Sequence, residues 1–405
     1  MEKRVFEGIK VAEFGGFAAG PGVGKMMADF GAEVVRVESF ARPDGFRTHY
    51  PPYTDNEPGL NRSGCFAIHN NNKYDITINL KASGASEIAQ KVIAWADVVI
   101  ENFTPGTMEK LGLGYEALVE IKPDLIMVGS CNQGQTGPHA NHPGFGSQLT
   151  SLSGFTHLTG YPDDSPILLY GPYIDYIGVG YGIISVTAAL DYRRRTGKGQ
   201  YIDLAQYEGG LQFIAPVLLD YLINNRVATR MGNRHSTAAP HDVYPCLGED
   251  RWCAIGIFSD REWEKLVEVM GSPRWTHDPK FSTLPGRKSN EDELYSHMAE
   301  WTASFTAEQL MERLQSVGLR AGVVNNMKDL YNDPQLKHRH IWCKLEHPEM
   351  GSFNYESPAF QLSETPAVID RPSPCIGEHN YYFFTNLLGF SEDEYNKLLE
   401  QNIIG

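Results

Sequence analysis

Neither a basic face nor a C-x-x-C pair occurs in this 405-residue chain, and each absence removes a class of function. Lys and Arg number 35 against 50 Asp and Glu, a formal charge of -15, so nucleic acid is not an expected partner. Any anionic ligand must then be met by a local basic pocket. The six cysteines, Cys65, Cys131, Cys246, Cys253, Cys343 and Cys375, are scattered, which suggests neither a zinc site nor a disulfide framework. No Cys or carboxylate pattern around the histidines completes a metal site, and no metal is expected. The opening MEKRVFEGIKV lacks a secretory apolar core, and no continuous apolar run of about 18 residues occurs. The expectation is a cytoplasmic protein without a membrane partner.

What the chain does have is glycine in a telling place. From Val11 to Glu38, VAEFGGFAAGPGVGKMMADFGAEVVRVE reads as strand, glycine-rich turn, helix and second strand. Gly15, Gly16, Gly20, Gly22 and Gly24 clear the turn of side chains, and Pro21 suits a first helical position. Backbone amides at such a helix start face the carboxyl end of the strand, where open α/β sheets bind anions, so a phosphorylated ligand is expected. A packing role for the same glycines stays open. The nicotinamide fingerprint fails in register, because Lys25 or Met27 falls where G-x-G-x-x-G needs its third glycine. A triphosphate loop fails because Met26 follows Lys25.

The alternation continues: a strand at INL near Ile78, a helix over Ser83–Ala96, a strand over Asp97–Glu101, a short helix near Thr107–Leu111 and a strand over Leu125–Gly129. This is parallel α/β order. Cys131 to Phe145 is rich in Gly, Pro, Asn and His and reads as a functional loop. Helices are expected over Gly178–Arg195 and Gly209–Asn224, with a strand over Tyr201–Leu204 between them. Hydrophobic periodicity lapses from Asn225 to Pro240, and a smaller α+β module follows. The predicted division is a large domain from residues 1–224 and 331–405, Rossmann-like with a parallel sheet, and a small one over 226–330. The C-terminal part reads as loop and helix.

Several of these segments, in order, resemble the class III coenzyme A transferases, the family of formyl-CoA and carnitine CoA-transferases. They are AGPGVGKMMADFGAEVVRVE, NNNKYDITINLK, ADVVIENFTPGTMEKLGLGYEAL, QGQTGPHANHPGF, ALDYRRRTGKGQYIDLAQYEGGL, AAPHDVYPCLGEDRWCAIGIFSDREWEKL and IGEHNYYFFTNLLGFSEDEY. The resemblance implies an aspartate nucleophile at Asp175, inside YGPYIDYIGVGYG. Taken alone, such an Asp reads as a helix cap or hydrogen-bond partner. It also implies a coenzyme A pocket with Phe17, Ala19, Ile78, Lys81, Asn102, Phe103 and Lys110, and a substrate pocket with Ala18, Phe145, Gly146 and Gln148. Without it, Lys81 and Lys110 read equally as solvated charges, and Phe17 and Phe103 as core.

A carboxylate nucleophile suits this chemistry, since it passes coenzyme A between two acids through an anhydride and an aspartyl thioester. The implied partners are an acyl-CoA, with succinyl-CoA as one donor, and a carboxylic acid such as benzylsuccinate, suggested by Phe17, Phe145, Tyr170, Tyr173 and Tyr176. Coenzyme A enters as part of substrate, and no tightly bound cofactor is expected. An interlocked dimer, of like chains or of homologous subunits in a heterotetramer, is also implied. Two departures stand out. Gly146 replaces the acidic residue of the family's G-[FHY]-[DE] motif, leaving Gln148 as a nearby substitute, and Phe145 replaces the histidine that racemases of the same fold use. Phenylalanine carries no proton, which disfavours the racemase. A non-catalytic coenzyme A-binding subunit is the remaining alternative.

Overall fold

The protein, described from a computed structural model, is placed over residues 4–405. The apolar runs form β1 (Lys10–Phe14), β2 (Glu33–Glu38), β3 (Tyr74–Thr77), β4 (Val98–Glu101), β5 (Ile126–Cys131) and β6 (Gln200–Ala205). They pair in parallel in the order β3-β2-β1-β4-β5-β6. Strand order reverses between β1 and β4. The crevice beyond their carboxyl ends is where such sheets bind ligands.

Both faces of the sheet are covered, and successive side chains alternate between them. Val34, Val98 and Ile100 pack with Val23 and Met27 of the helix Ala19–Asp29, and with Val186 and Ala189 of the long helix Tyr173–Thr196. Val35, Val37 and Val99 face the other way, onto Ile88 and Val92 of the helix Ala85–Trp95 and onto Phe383 and Phe384. A Cβ on Gly22 would strike Val179, and one on Gly182 would strike Val23. These glycines therefore bring two helices together, and Gly24 likewise makes room for the Glu13 carboxylate. Among the described residues Tyr173–Thr196 is the one helix long and apolar enough to cross a membrane, and its buried residues include Gly182, Val186 and Ala189.

Several elements differ from the sequence reading, among them the strand pair Trp342–His347 and Gly351–Glu356 in a C-terminal part expected to be loop and helix. The strand expected at Ile78 ends just before it, because the tract Tyr74–Thr77 pairs with β2 in spite of the charge on Asp75. The first helix starts at Ala19, so Pro21 is its third residue. The long helix starts at Tyr173, which puts Asp175 in its first turn. The apolar helix expected over Gly209–Asn224 is two helices, Gln206–Phe213 and Ala215–Asn224, the second carrying Pro in its first turn, where a missing N–H costs nothing.

The chain forms two compact units. One comprises the chain up to Phe155, Leu168–Arg226 and Lys337–Gly405; the other comprises Thr156–Ile167 and Val227–Leu336. The second is an α+β unit, with β7 (His241–Pro245), β8 (Trp252–Gly256) and β9 (Arg320–Val323) as an antiparallel sheet around Cys253, Ile255, Trp263, Leu310 and Leu314. In the first unit, β10 (Trp342–His347) and β11 (Gly351–Glu356) make a hairpin. The edge strand β3 is sealed by chain from far away. Asn380, 303 residues distant, accepts from the Thr77 N–H at 2.7 Å, and His379 N–H donates to the Asp75 carbonyl at 3.0 Å. Covering the edge in this way removes a template for unwanted pairing.

Candidate active site

The turn after β1 is built by side chains from two neighbouring elements. Gly15 takes φ +116°, and Asn102, just past β4, accepts from the Gly16 N–H at 3.0 Å and donates to the Gly16 carbonyl at 2.7 Å. A Cβ on Gly15 would collide with that amide. Asn102 thus staples β1 to β4 across the crevice. Phe17 follows in the left-handed region at φ 61°, its N–H bonded to the Asp44 carboxylate at 3.1 and 3.2 Å. Ala18 then caps the helix that Ala19 begins, and both are buried.

Beneath this turn lies a buried charge network that the sequence reading missed. The parallel register sets Glu13 beside Arg36 and Arg36 beside Asp75, one charged residue on each of three adjacent strands. Arg36 donates to Glu13 at 2.7 Å and Glu38 at 3.1 Å, and also to Asp44. Lys73 donates to Glu13 and to the Pro21 carbonyl, both at 2.8 Å. Arg47 reaches Glu38 at 3.0 Å and lies over the Phe66 ring at 3.4 Å. Burial works against the Arg36 charge, but Asp44, Glu38 and Glu13 around it hold its proton more tightly than usual. Burial pushes Lys73 down to about 8 and neighbouring His69 down to about 4, so His69 is neutral near pH 7. The signal in the sequence was one charged residue inside each of KVAEF, EVVRVE and YDIT.

Asp175 stands half-buried in the first turn of the long helix, its N–H bonded to the Pro172 carbonyl at 3.0 Å. Among the described residues its carboxylate has no hydrogen-bond or ion-pair partner, and desolvation raises its pKa to about 7. The backbone of Gly146 faces it: a Cβ there would lie 2.8 Å from the Asp175 carboxyl and 2.5 Å from Pro172 Cβ. Gly146 opens the short helix Gly146–Leu152, whose first amides have no acceptor within the helix. An acidic side chain at this position, as the resemblance would lead one to expect, has no room. Gln148, considered as its substitute, instead accepts from the Phe145 N–H at 2.7 Å and so caps the helix. Gly146→Ala is expected to displace the Asp175 carboxyl and lower kcat about 100-fold, since misplacement near 1 Å costs that much. Steady-state kinetics on the folded variant, checked by circular dichroism, measures it; an unchanged kcat removes the steric argument.

The remaining predicted residues divide. Phe17, Ala18, Ala19 and Asn102 meet at the mouth of the crevice, and Phe145 lies against Phe17 at 6.3 Å between ring centroids. Phe103 is half-buried on the core, its N–H bonded to Glu101 at 2.9 Å. Ile78 is buried, its N–H bonded to the Glu38 carbonyl at 2.8 Å and its carbonyl accepting from the Leu80 N–H at 3.0 Å. Lys81 and Lys110 are exposed and form no ion pair among the described residues.

A parallel sheet whose strand order reverses between β1 and β4, with a glycine-rich turn at the reversal, defines a doubly wound α/β protein of the ligand-binding kind. The family model for "CoA-transferase family III" matches residues 6–380. The chain is 33% identical over 99% of its length, and 98% of the relative's, to the succinyl-CoA–D-citramalate CoA-transferase of Chloroflexus aurantiacus. It is 29% identical over its full length, and 94% of the relative's, to the alpha subunit of a succinyl-CoA–L-malate CoA-transferase of Chloroflexus aurantiacus. A crystal structure of a CAIB/BAIF family protein from Brucella suis superposes with a TM-score of 0.87 at 31% identity, covering 95% of this chain and 100% of that one. The chain belongs to CoA-transferase family III and is an enzyme of that family.

Proposed function

We propose that the protein transfers coenzyme A from succinyl-CoA to a dicarboxylic acid with an aryl body, through covalent intermediates on Asp175. The observation that carries this reading is the Asp175 carboxyl itself, unpartnered among the described residues and backed by a glycine that leaves its oxygens clear. Two relatives named for succinyl-CoA support the donor. The acids in their names are dicarboxylates, and the exposed rings of Phe17, Phe145 and Tyr176 support an aryl substituent, as in benzylsuccinate.

The chemistry runs in four displacements. An Asp175 oxygen attacks the thioester carbonyl, the C–S bond breaks, and a succinyl–aspartyl anhydride and the coenzyme A thiolate form. The thiolate attacks the aspartyl carbonyl and releases succinate, leaving aspartyl-CoA thioester. The acceptor carboxylate then displaces the thiolate, forming a second anhydride, and the thiolate attacks the acceptor carbonyl to restore Asp175. One thioester replaces another, so the sequence balances without ATP or metal. Each tetrahedral oxyanion needs amide donors, and the opening amides of the Gly146–Leu152 helix are the proposed source. Lys81 and Lys110, both exposed, are proposed to meet the nucleotide part of coenzyme A. Exposed Leu219, Leu222 and Ile223 on the Ala215–Asn224 helix support burial against a second copy or a homologous subunit, which sedimentation equilibrium tests.

The test is mass spectrometry after incubation with succinyl-CoA and then hydroxylamine: a hydroxamate on Asp175 is expected, and modification elsewhere overturns the assignment. Only the carboxylate attacks, so kcat/KM is expected to rise with pH through about 7 and level off above it. At pH 5.5 the loss is about 30-fold, from the fraction ionised. A flat profile from pH 5.5 to 8.5 removes this role for the Asp175 proton.

A further inference from the structure

An aromatic band runs beside the Asp175 carboxyl, and one member stands in a backbone conformation that phenylalanine rarely takes. At one end Phe145 precedes Gly146; at the other Tyr176 follows Asp175. Ring centroids between them are 6.3 Å apart for Phe145 and Phe17, 5.9 Å for Phe17 and Tyr50 and 5.5 Å for Phe17 and Phe46. The line continues at 5.1 Å from Phe46 to His69 and 5.8 Å from His69 to Tyr176. Phe46 and His69 are buried and anchor the band, while Phe17, Tyr50, Phe145 and Tyr176 stay exposed. With His69 neutral, the surface offers rings and no formal charge.

Phe17 is the hinge of this band. Its φ of 61° is costly for a residue with a large side chain, and strain of this kind gathers at ligand sites. What holds it is explicit: both Asp44 oxygens accept from the Phe17 N–H, Asp44 also accepts from the Phe46 N–H at 2.7 Å, and Arg36 clamps it from below. Gly45 leaves the ring its space, because a Cβ there would strike Phe17. Relaxing Phe17 to a right-handed backbone would turn its N–H off Asp44 and its ring out of the band.

We propose that this band is the wall that selects the acyl group, and that Asp44 is a positioning residue holding Phe17 in it. The proposal rests on Asp175 being the acyl-accepting group. It goes beyond that reading by assigning acid selection to a band of rings whose placement at Phe17 is set by a buried ion pair.

The test uses the full chain with succinyl-CoA as donor and benzylsuccinate or glutarate as acceptor. Phe17→Gly takes the same backbone without strain and deletes the ring. It is expected to lower the kcat/KM ratio for benzylsuccinate over glutarate about tenfold or more, the scale of a lost apolar wall. Affinity for free coenzyme A, by calorimetry, is expected to stay within about twofold, and Phe17→Tyr to restore the ratio. Asp44→Asn, which weakens the hold on Phe17, is expected to move the ratio the same way. Asp44→Glu, which keeps the charge for Arg36 but misplaces the oxygens, serves if the Asn variant does not fold. An unchanged ratio in Phe17→Gly, or coenzyme A affinity falling in step with it, overturns the band. An unchanged ratio in a folded Asp44 variant overturns the role of Asp44. Hydroxamate trapping on the same samples separates the levels: label on Asp175 with no change in ratio sinks the band alone, and no label even in wild type sinks the covalent reading beneath it.

Discussion

Asp175→Asn is expected to lower transfer by about four orders of magnitude or more, the scale on which enzymes lose rate when a covalent nucleophile is removed. The amide is nearly isosteric, and among the described residues the native carboxylate forms no ion pair or hydrogen bond that the change would break. Folding is therefore expected to survive, and the pH dependence of stability shows in which direction. The folded carboxyl titrates near 7, above its unfolded value, so the wild type gives up stability as pH rises toward 7 and stays penalised above it. A neutral side chain escapes that penalty. The variant should thus be inactive yet at least as resistant to urea as wild type at pH 8. Undiminished turnover would end the covalent mechanism, and lower stability at pH 8 would mean that the carboxylate has a structural partner.

The largest effect on stability is expected at Arg36. Arg36→Met removes the cation that Glu13, Glu38 and Asp44 share while leaving three acids in a site closed to water. Breaking a buried ion pair from one side costs about 3 to 5 kcal/mol, and here three partners lose their counter-charge together. The urea unfolding midpoint of the purified variant measures the cost. As a control, Asp191→Asn acts on an exposed helical pair with Arg194 and Arg195 and is expected to leave the urea unfolding midpoint essentially unchanged. If Arg36→Met falls within about 1 kcal/mol of wild type, the network is not what holds the Phe17 turn.

How much of this the sequence carried depends on the kind of residue that did the work. The first strand, turn and helix were readable because Val11 to Phe14 is apolar and glycines crowd the turn, a local signal. Strand β3 was displaced by four residues because Asp75 interrupts it, and its pairing rests on a register that only the assembled sheet supplies. Glu13 and Arg36 were visible as oddities inside apolar strands, but their meeting depends on strand order. Asp175 came from the resemblance: an aspartate between aromatics has no local mark of reactivity, and its isolation is a property of the folded site. Gly146, read as a missing helper, is the point where the structure leaves no room for one.

The sealing of β3 by the Asn380 region bears on how the molecule is made. Asp75 bonds the Gly377 N–H at 2.6 Å, and Arg47 bonds the Pro374 carbonyl at 3.1 Å, so the floor of the crevice is completed by peptide that leaves the ribosome some three hundred positions later. Translation at 5 to 20 residues per second makes that a wait of about 15 to 60 s. For that interval a half-built sheet carries an open rim and buried polar groups short of partners. Nascent chains halted before Pro374 are where chaperone engagement should be heaviest, and release of the C-terminal segment should end it.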